Sequence, residues 1–362
     1  MKIGIVGLPN VGKSTLFNAL TRSKGAMAAN YPFCTIEPNV GIVEVPDERM
    51  YKLKEIVKTE KVVPAIVEFV DIAGLVKGAS EGEGLGNQFL AHIRECDAIA
   101  QVVRAFNDDN IIHVHNSVDP RRDIEIIETE LILADLQTLE KRVGKAASDA
   151  KSGDAKKKDY HTLLVKVEDA LKTGKKMIDL DLTAEEMLAV RDLHLLTAKP
   201  FLYVANMHEN EVGKANIEEL KKTLGLSANQ KVIPISARIE EELGELSQEE
   251  AAAFLQDIGL QETGLNSLIK AAYETLGLAT YFTAGVQEVR AWTIHQGDTA
   301  PKAAGVIHTD FEKGFIKAEV VRWQDLVQYG GEAGAKDKGV LRLEGKEYVV
   351  KDGDVMHFFF AN

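Results

Sequence analysis

Gly7 to Thr15 reads GLPNVGKST and has the form G-x-x-x-x-G-K-[ST]. It follows the short apolar run Lys2 to Val6 and opens a stretch whose spacing predicts a helix from about Lys13. Strand, glycine-bounded turn and helix in that order form the setting in which this pattern cradles phosphate. Its glycines let backbone N–H groups curl around an anion without Cβ clashes. The helix N-terminus adds positive potential. Asn10, Val11, Gly12, Lys13, Ser14 and Thr15 are therefore expected to hold the phosphates of a nucleotide. Lys13 is expected to reach the β- and γ-phosphates as a catalytic group, and Ser14 to ligate Mg²⁺. Two further loop residues are informative. Pro9 stands where many P-loop GTPases have a small glycine that admits a partner's arginine, and its ring would crowd such a group. Asn10 stands where potassium-stimulated GTPases place an asparagine, so K⁺ is expected as an activator. An ordinary turn residue is the alternative.

Outward from the loop, Ala65 to Val70 (AIVEFV) and Ala98 to Val103 are apolar runs fit for buried parallel strands. Asp71-Ile72-Ala73-Gly74 ends the first of them. Asp71 can hold Mg²⁺ through its water, and the Gly74 N–H can donate to a γ-phosphate. Thr35 is the expected threonine ligand of the same metal. Leu75 follows Gly74, at the position where Ras-type GTPases carry the glutamine that orients the attacking water. Leucine cannot do this. Hydrolysis is then slow, or the water is handled from elsewhere, with His113 and His115 as candidates. For His113 a structural reading stays open, and for His115 an ordinary surface role is favoured. Gly78 to Gly86 has four glycines in nine residues and is expected to order around a γ-phosphate.

Phe201 to Ala205 (FLYVA) and Val232 to Ile235 (VIPI) are the next strand-like runs. The first should lead into the guanine-reading N-K-x-D, but the chain has Asn206-Met207-His208-Glu209. The usual aspartate accepts hydrogen bonds from guanine N1–H and its 2-amino group. Adenine offers neither donor at that edge. Losing an oriented buried pair costs ~1–3 kcal/mol, on the order of 10- to 100-fold in preference. Guanine specificity therefore does not follow from this motif, and adenine becomes an alternative base at Asn206 to Glu209, with Ser236-Ala237 as the expected backbone contact to it.

Between these runs the periodicity is helical. Ile132, Leu136, Leu139 and Val143 are spaced 4, 3 and 4 apart. After the polar stretch Ser148 to Asp159, Leu163, Val167 and Leu171 resume the spacing. Two antiparallel helices inserted into the α/β domain are expected over 123–198. Residues 141–176 hold eleven Lys/Arg against five Asp/Glu, although the whole chain carries a net charge of −13. The arm reads either as a solvated hairpin or as a basic surface for RNA phosphates. The acidic run Glu240 to Glu250 reads as a solvated loop or helix start. Short strand-like runs then dominate: Glu288 to Ile294, Gly314 to Val321, Val340 to Leu343, Tyr348 to Val350 and Met356 to Phe360, with a turn at Asp352-Gly353-Asp354. The expected division is 1–122 with 199–278, 123–198, and 279–362. Two cysteines, Cys34 and Cys96, exclude a disulfide scaffold. No apolar run is long enough to span a membrane, and no signal peptide is evident. A cytoplasmic location is expected, and the acidic balance argues against coating DNA.

GLPNVGKST, PFCTIEPNVG, DIAGLVKGASEGEGLGNQFL, NMHE and ISAR, in this order, resemble the Obg-like translation-factor GTPases. The similarity is greatest to the YchF type, the Obg-like ATPases. It extends to the helical arm and to the tail VVKDGDVMHFFF, which looks like a TGS domain of β-grasp fold. The resemblance implies a P-loop NTPase (G-domain) with a parallel sheet, preferring ATP and hydrolysing it slowly. It implies a base contact at Met207 and a catalytic role for His113 in NIIHV. It also implies association with the ribosome (large subunit) and RNA through the arm and the TGS domain. A GTP-specific Obg-type factor is the alternative.

Overall fold

The computed structural model describes residues 1–22, 39–72, 85–108, 113 and 117–361. Thr35, Gly74, Leu75, His115 and Cys34 lie outside the described residues, as does 78–84 of the glycine-rich stretch. From the N-terminus, β1 (Lys2–Val6) leads through the phosphate loop into α1 (Lys13–Arg22). Next come β2 (Val40–Glu44), α2 (Arg49–Val57), the two-residue β3 (Val62–Val63) and β4 (Ile66–Asp71). α3 (Leu85–Glu95) precedes β5 (Ala98–Arg104), whose seven residues are all buried. An unbroken buried run of this kind marks a parallel strand covered on both faces.

The inserted arm follows as α4 (Pro120–Ala150), α5 (Ala155–Lys172) and the short α6 (Ala184–Val190). Pro120 begins α4, and Asp119 caps it by accepting the Arg122 N–H. Asp154 caps α5 through the N–H groups of Lys156 and Lys157. Ile132, Leu139, Leu163, Val167 and Leu171 meet in one buried cluster, the seam that the spacing predicts. The polar stretch expected as a break is mostly helical. Only 151–154 lies outside the two helices, because Asp154 restarts the helix at once.

The chain returns as β6 (Phe201–Asn206), α7 (Glu209–Val212), α8 (Ile217–Leu224), β7 (Lys231–Ile235), α9 (Ala237–Leu243), α10 (Gln248–Asp257) and α11 (Gly264–Thr275). The first sheet runs in the order β2-β4-β1-β5-β6-β7. β1 pairs in parallel with β4 and β5, β5 with β6, and β6 with β7. Parallel pairing brings the C-terminal ends of β1, β4, β6 and β7 to one edge, where ligands of open α/β sheets bind. Those ends carry the phosphate loop, Asp71, Asn206 to Glu209 and Ser236.

The chain divides into two compact units, 1–41 with 68–268, and 42–67 with 269–362. The second contains β8 (Leu278–Ala284), β9 (Val289–His295), α12 (Ala300–Ile307), β10 (Phe315–Arg322), β11 (Arg342–Glu344) and β12 (Asp354–Phe360). Its mixed sheet has the order β11-β10-β12-β8-β9-β3, and Ala300, Ala303 and Ala304 of α12 pack against Tyr281, Phe315 and Phe358 of that sheet. A helix held against a mixed sheet in this way is the expected β-grasp arrangement. Within this unit Arg49 ties α2 to the tail, bonding Asp47 at 2.7 Å and Asp352 at 2.5 Å and lying over the Phe282 ring. Tyr348 to Val350, expected as a strand, makes only a single bridge, Thr299 to Val349.

Candidate nucleotide site

The phosphate loop depends on three unusual backbone angles. Asn10 has φ of 61°, Gly12 has 98° and Gly7 has 157°. Asparagine is among the few side chains that tolerate the left-handed region. A Cβ on Gly12 would sit 2.3 Å from Asn206 Nδ2, so glycine is required there on steric grounds as well. Lys13 is buried, and its Nζ donates to the Leu8 carbonyl at 2.8 Å, back across the loop. Burial lowers its pKa, opposed by the nearby Asp71 carboxylate. Burial raises the pKa of Asp71, opposed by Lys13 and by a hydrogen bond from the Ser14 hydroxyl. Ser14 and Asp71 therefore present two oxygens side by side at the loop. That donor set suits a hard divalent cation.

Asn206 ends β6 and uses both ends of its amide within the protein. Nδ2 donates to the Val11 carbonyl at 2.9 Å, and Oδ1 accepts the Ala237 N–H at 3.0 Å. One buried side chain thus braces the phosphate loop against the start of α9, where Ser236 is the capping residue. Met207 continues this edge, its N–H donating to the Ile235 carbonyl at 2.7 Å. Its side chain is half-buried and lines a cavity of about 580 Å³ together with Phe106, Asn107, Pro120, Asn210 and Leu220. Glu209 turns toward Arg238, at 3.3 Å. Lys13, Ser14, Asp71, Asn206, Ser236 and Ala237 thus converge on one loop. His113 lies at the head of the arm instead, buried, with Nε2 2.8 Å from Asp123 Oδ2 of α4.

Two residues of this edge escape a reading by motif. Arg104, at the end of an otherwise apolar strand, is 1% exposed and holds the following loop by donating to the carbonyls of Phe106 and Asp108 at 3.1 and 3.0 Å. It also lies 4.6 Å from the centre of the Phe106 ring. An arginine closing a buried strand two residues before a phenylalanine was the available signal. A second correction concerns Glu240. Far from being solvated, it is 4% exposed and accepts the Gly264 N–H at 2.7 Å, at the start of α11.

The family described as 50S ribosome-binding GTPase matches residues 2–133. The YchF-GTPase_C family, described as a protein of unknown function, matches residues 278–361. The Ribosome-binding ATPase YchF of Bacillus subtilis is 57% identical over 361 residues, covering 99% of this chain and 98% of that protein. The protein of the same name from Escherichia coli O157:H7 is 55% identical, with 99% of each covered. The solved structure of the Schizosaccharomyces pombe YchF GTPase superposes with a TM-score of 0.89 at 42% identity, covering 99% of this chain and 97% of that one. With a phosphate loop braced by a buried asparagine and relatives matched along nearly their whole length, the chain belongs to the YchF family of P-loop nucleotide hydrolases.

Proposed function

We propose that this protein is a slow ATPase that acts as a nucleotide switch on the ribosome. The observation that carries the choice of nucleotide is the pairing of Glu209 with Arg238 beside the cavity lined by Phe106 and Met207. The carboxylate that would read guanine's two donors lies 3.3 Å from Arg238, whose Nε Glu242 also approaches at 3.2 Å. The cavity offers an aromatic wall, a thioether and the amides of Asn107 and Asn210. An amide presents a donor and an acceptor together, which matches the adenine edge. In this reading Asn10, Val11, Gly12, Lys13, Ser14 and Thr15 hold the phosphates, with Gly74 donating to the γ-phosphate. Asn206 and Ala237 brace the base edge. Ser14, Thr35 and Asp71 hold Mg²⁺, which neutralises phosphate charge when bound. Asn10 coordinates an activating K⁺.

His113 serves as the group that orients the attacking water, since Leu75 cannot. The arm and the β-grasp unit engage the large ribosomal subunit and its RNA. The exposed lysines of the arm and the names of the relatives support this part. Lys13→Ala should abolish ATP hydrolysis in a phosphate-release assay. His113→Ala should lower kcat by about 10-fold or more while ATP affinity stays unchanged. Lost affinity in that variant would assign His113 a structural role. Replacing Na⁺ by K⁺ should accelerate hydrolysis, and equal rates would remove the cation from the account.

A further inference from the structure

Asp123 lies in the first turn of α4, the longer helix of the arm. Its carboxylate and the His113 ring have side chains only 3% exposed, with 2.8 Å between Asp123 Oδ2 and His113 Nε2. The surrounding turn is tightly made. The Asp123 N–H donates to the Asp119 carbonyl at 3.1 Å. Arg122 Nη2 lies 3.4 Å from Asp123 Oδ1, and the same guanidinium donates to the Ser117 hydroxyl and carbonyl at 3.0 and 2.7 Å. Ile124, the next residue, packs with Val103 and Ala205 of the central sheet, and its carbonyl accepts from Gln101 at 3.4 Å. The carboxylate is therefore fixed to the sheet at one end of a helix about 46 Å long by its 31 residues.

We propose that Asp123 is the positioning residue of His113. This rests on the reading of His113 as the group that orients water. A carboxylate accepting from Nε2–H selects one ring tautomer and one ring plane. With its plane set in this way, the ring orients the attacking water. The water oxygen bonds to the γ-phosphorus as the bond to the β–γ bridging oxygen breaks. ADP leaves with that electron pair, and the protons of the water pass to inorganic phosphate or solvent.

The test compares the full-length protein with His113→Ala, Asp123→Asn and the double variant, measuring kcat, ATP affinity and thermal melting for each. Asp123→Asn should lower kcat by about 10-fold or more, of the order that a misplaced reacting group costs, with ATP affinity within about twofold. Added to His113→Ala it should lower kcat no further, because the ring it positions is gone. An Asp123→Asn variant that keeps full kcat while His113→Ala loses it would overturn the inference and leave the histidine reading standing. Independent, multiplying losses in the double variant would also overturn it, as would an Asp123→Asn loss confined to affinity or melting. Unchanged kcat in His113→Ala would instead defeat the underlying reading.

Discussion

At the scale of single residues, the contact between Gly12 and Asn206 joins a steric limit to a backbone one. Gly12 combines φ of 98° with a neighbour 2.3 Å from where a Cβ would stand. Gly12→Ala should cost about 1–3 kcal/mol of stability from backbone strain alone, read as a lower melting temperature. It should also weaken nucleotide binding, because Asn206 must give way. Asn206→Ala acts differently. It leaves the Val11 carbonyl and the Ala237 N–H without their partner, each costing about 1–3 kcal/mol where buried. ATP and GTP affinities should fall together in a fluorescent-analogue titration, since the amide braces loops and does not read the base. A changed ratio between the two nucleotides would contradict that assignment.

Among the elements, α11 starts on a buried carboxylate. Burial raises the pKa of Glu240 to about 7, opposed by the backbone N–H groups of Gly264 and Leu265. A pKa above its unfolded value means that the fold prefers the protonated form. That contribution is complete below the unfolded pKa, near 4.5, and is lost as pH rises toward about 7. Thermal melting of Glu240→Gln should therefore change less between pH 5 and pH 8 than that of the unaltered protein. Parallel curves would place the titration elsewhere. Glu240 also marks where the sequence stops being legible. In EEELGELSQEE nothing distinguishes the carboxylate that faces inward until α9 and α11 are packed. The central strands were readable because an apolar run such as β5 announces burial on both faces. The two-residue β3 was not, since its pairing with β9 is set across more than two hundred residues of chain. The site divides in the same way. Lys13, Ser14 and Asp71 follow from local motifs, whereas Phe106 becomes a wall of the cavity beside Met207 only through the buried Arg104 that shapes its loop.

At the scale of the whole molecule, charge and nucleotide choice are the two properties that define the proposal. The arm concentrates basic side chains on a chain that is otherwise acidic. Replacing Lys145, Lys151, Lys156, Lys157 and Lys158 by glutamine should weaken ribosome co-sedimentation and flatten its salt dependence, because fewer counterions are released. Unchanged binding across the salt range would mean that those lysines only keep the arm solvated. Residues 42–67, which group with the C-terminal unit, stand in the chain between the phosphate loop and Asp71. No periodicity announces that membership; it rests on contacts such as Arg49 with Asp352. The nucleotide itself decides whether the parts form an ATPase. Dissociation constants for ATP and GTP, measured side by side on the full-length protein with Mg²⁺ present, test this most directly. The account predicts ATP bound about 10- to 100-fold more tightly, the range set by one oriented buried hydrogen-bonding pair. GTP bound as tightly as ATP, or more tightly, would contradict it.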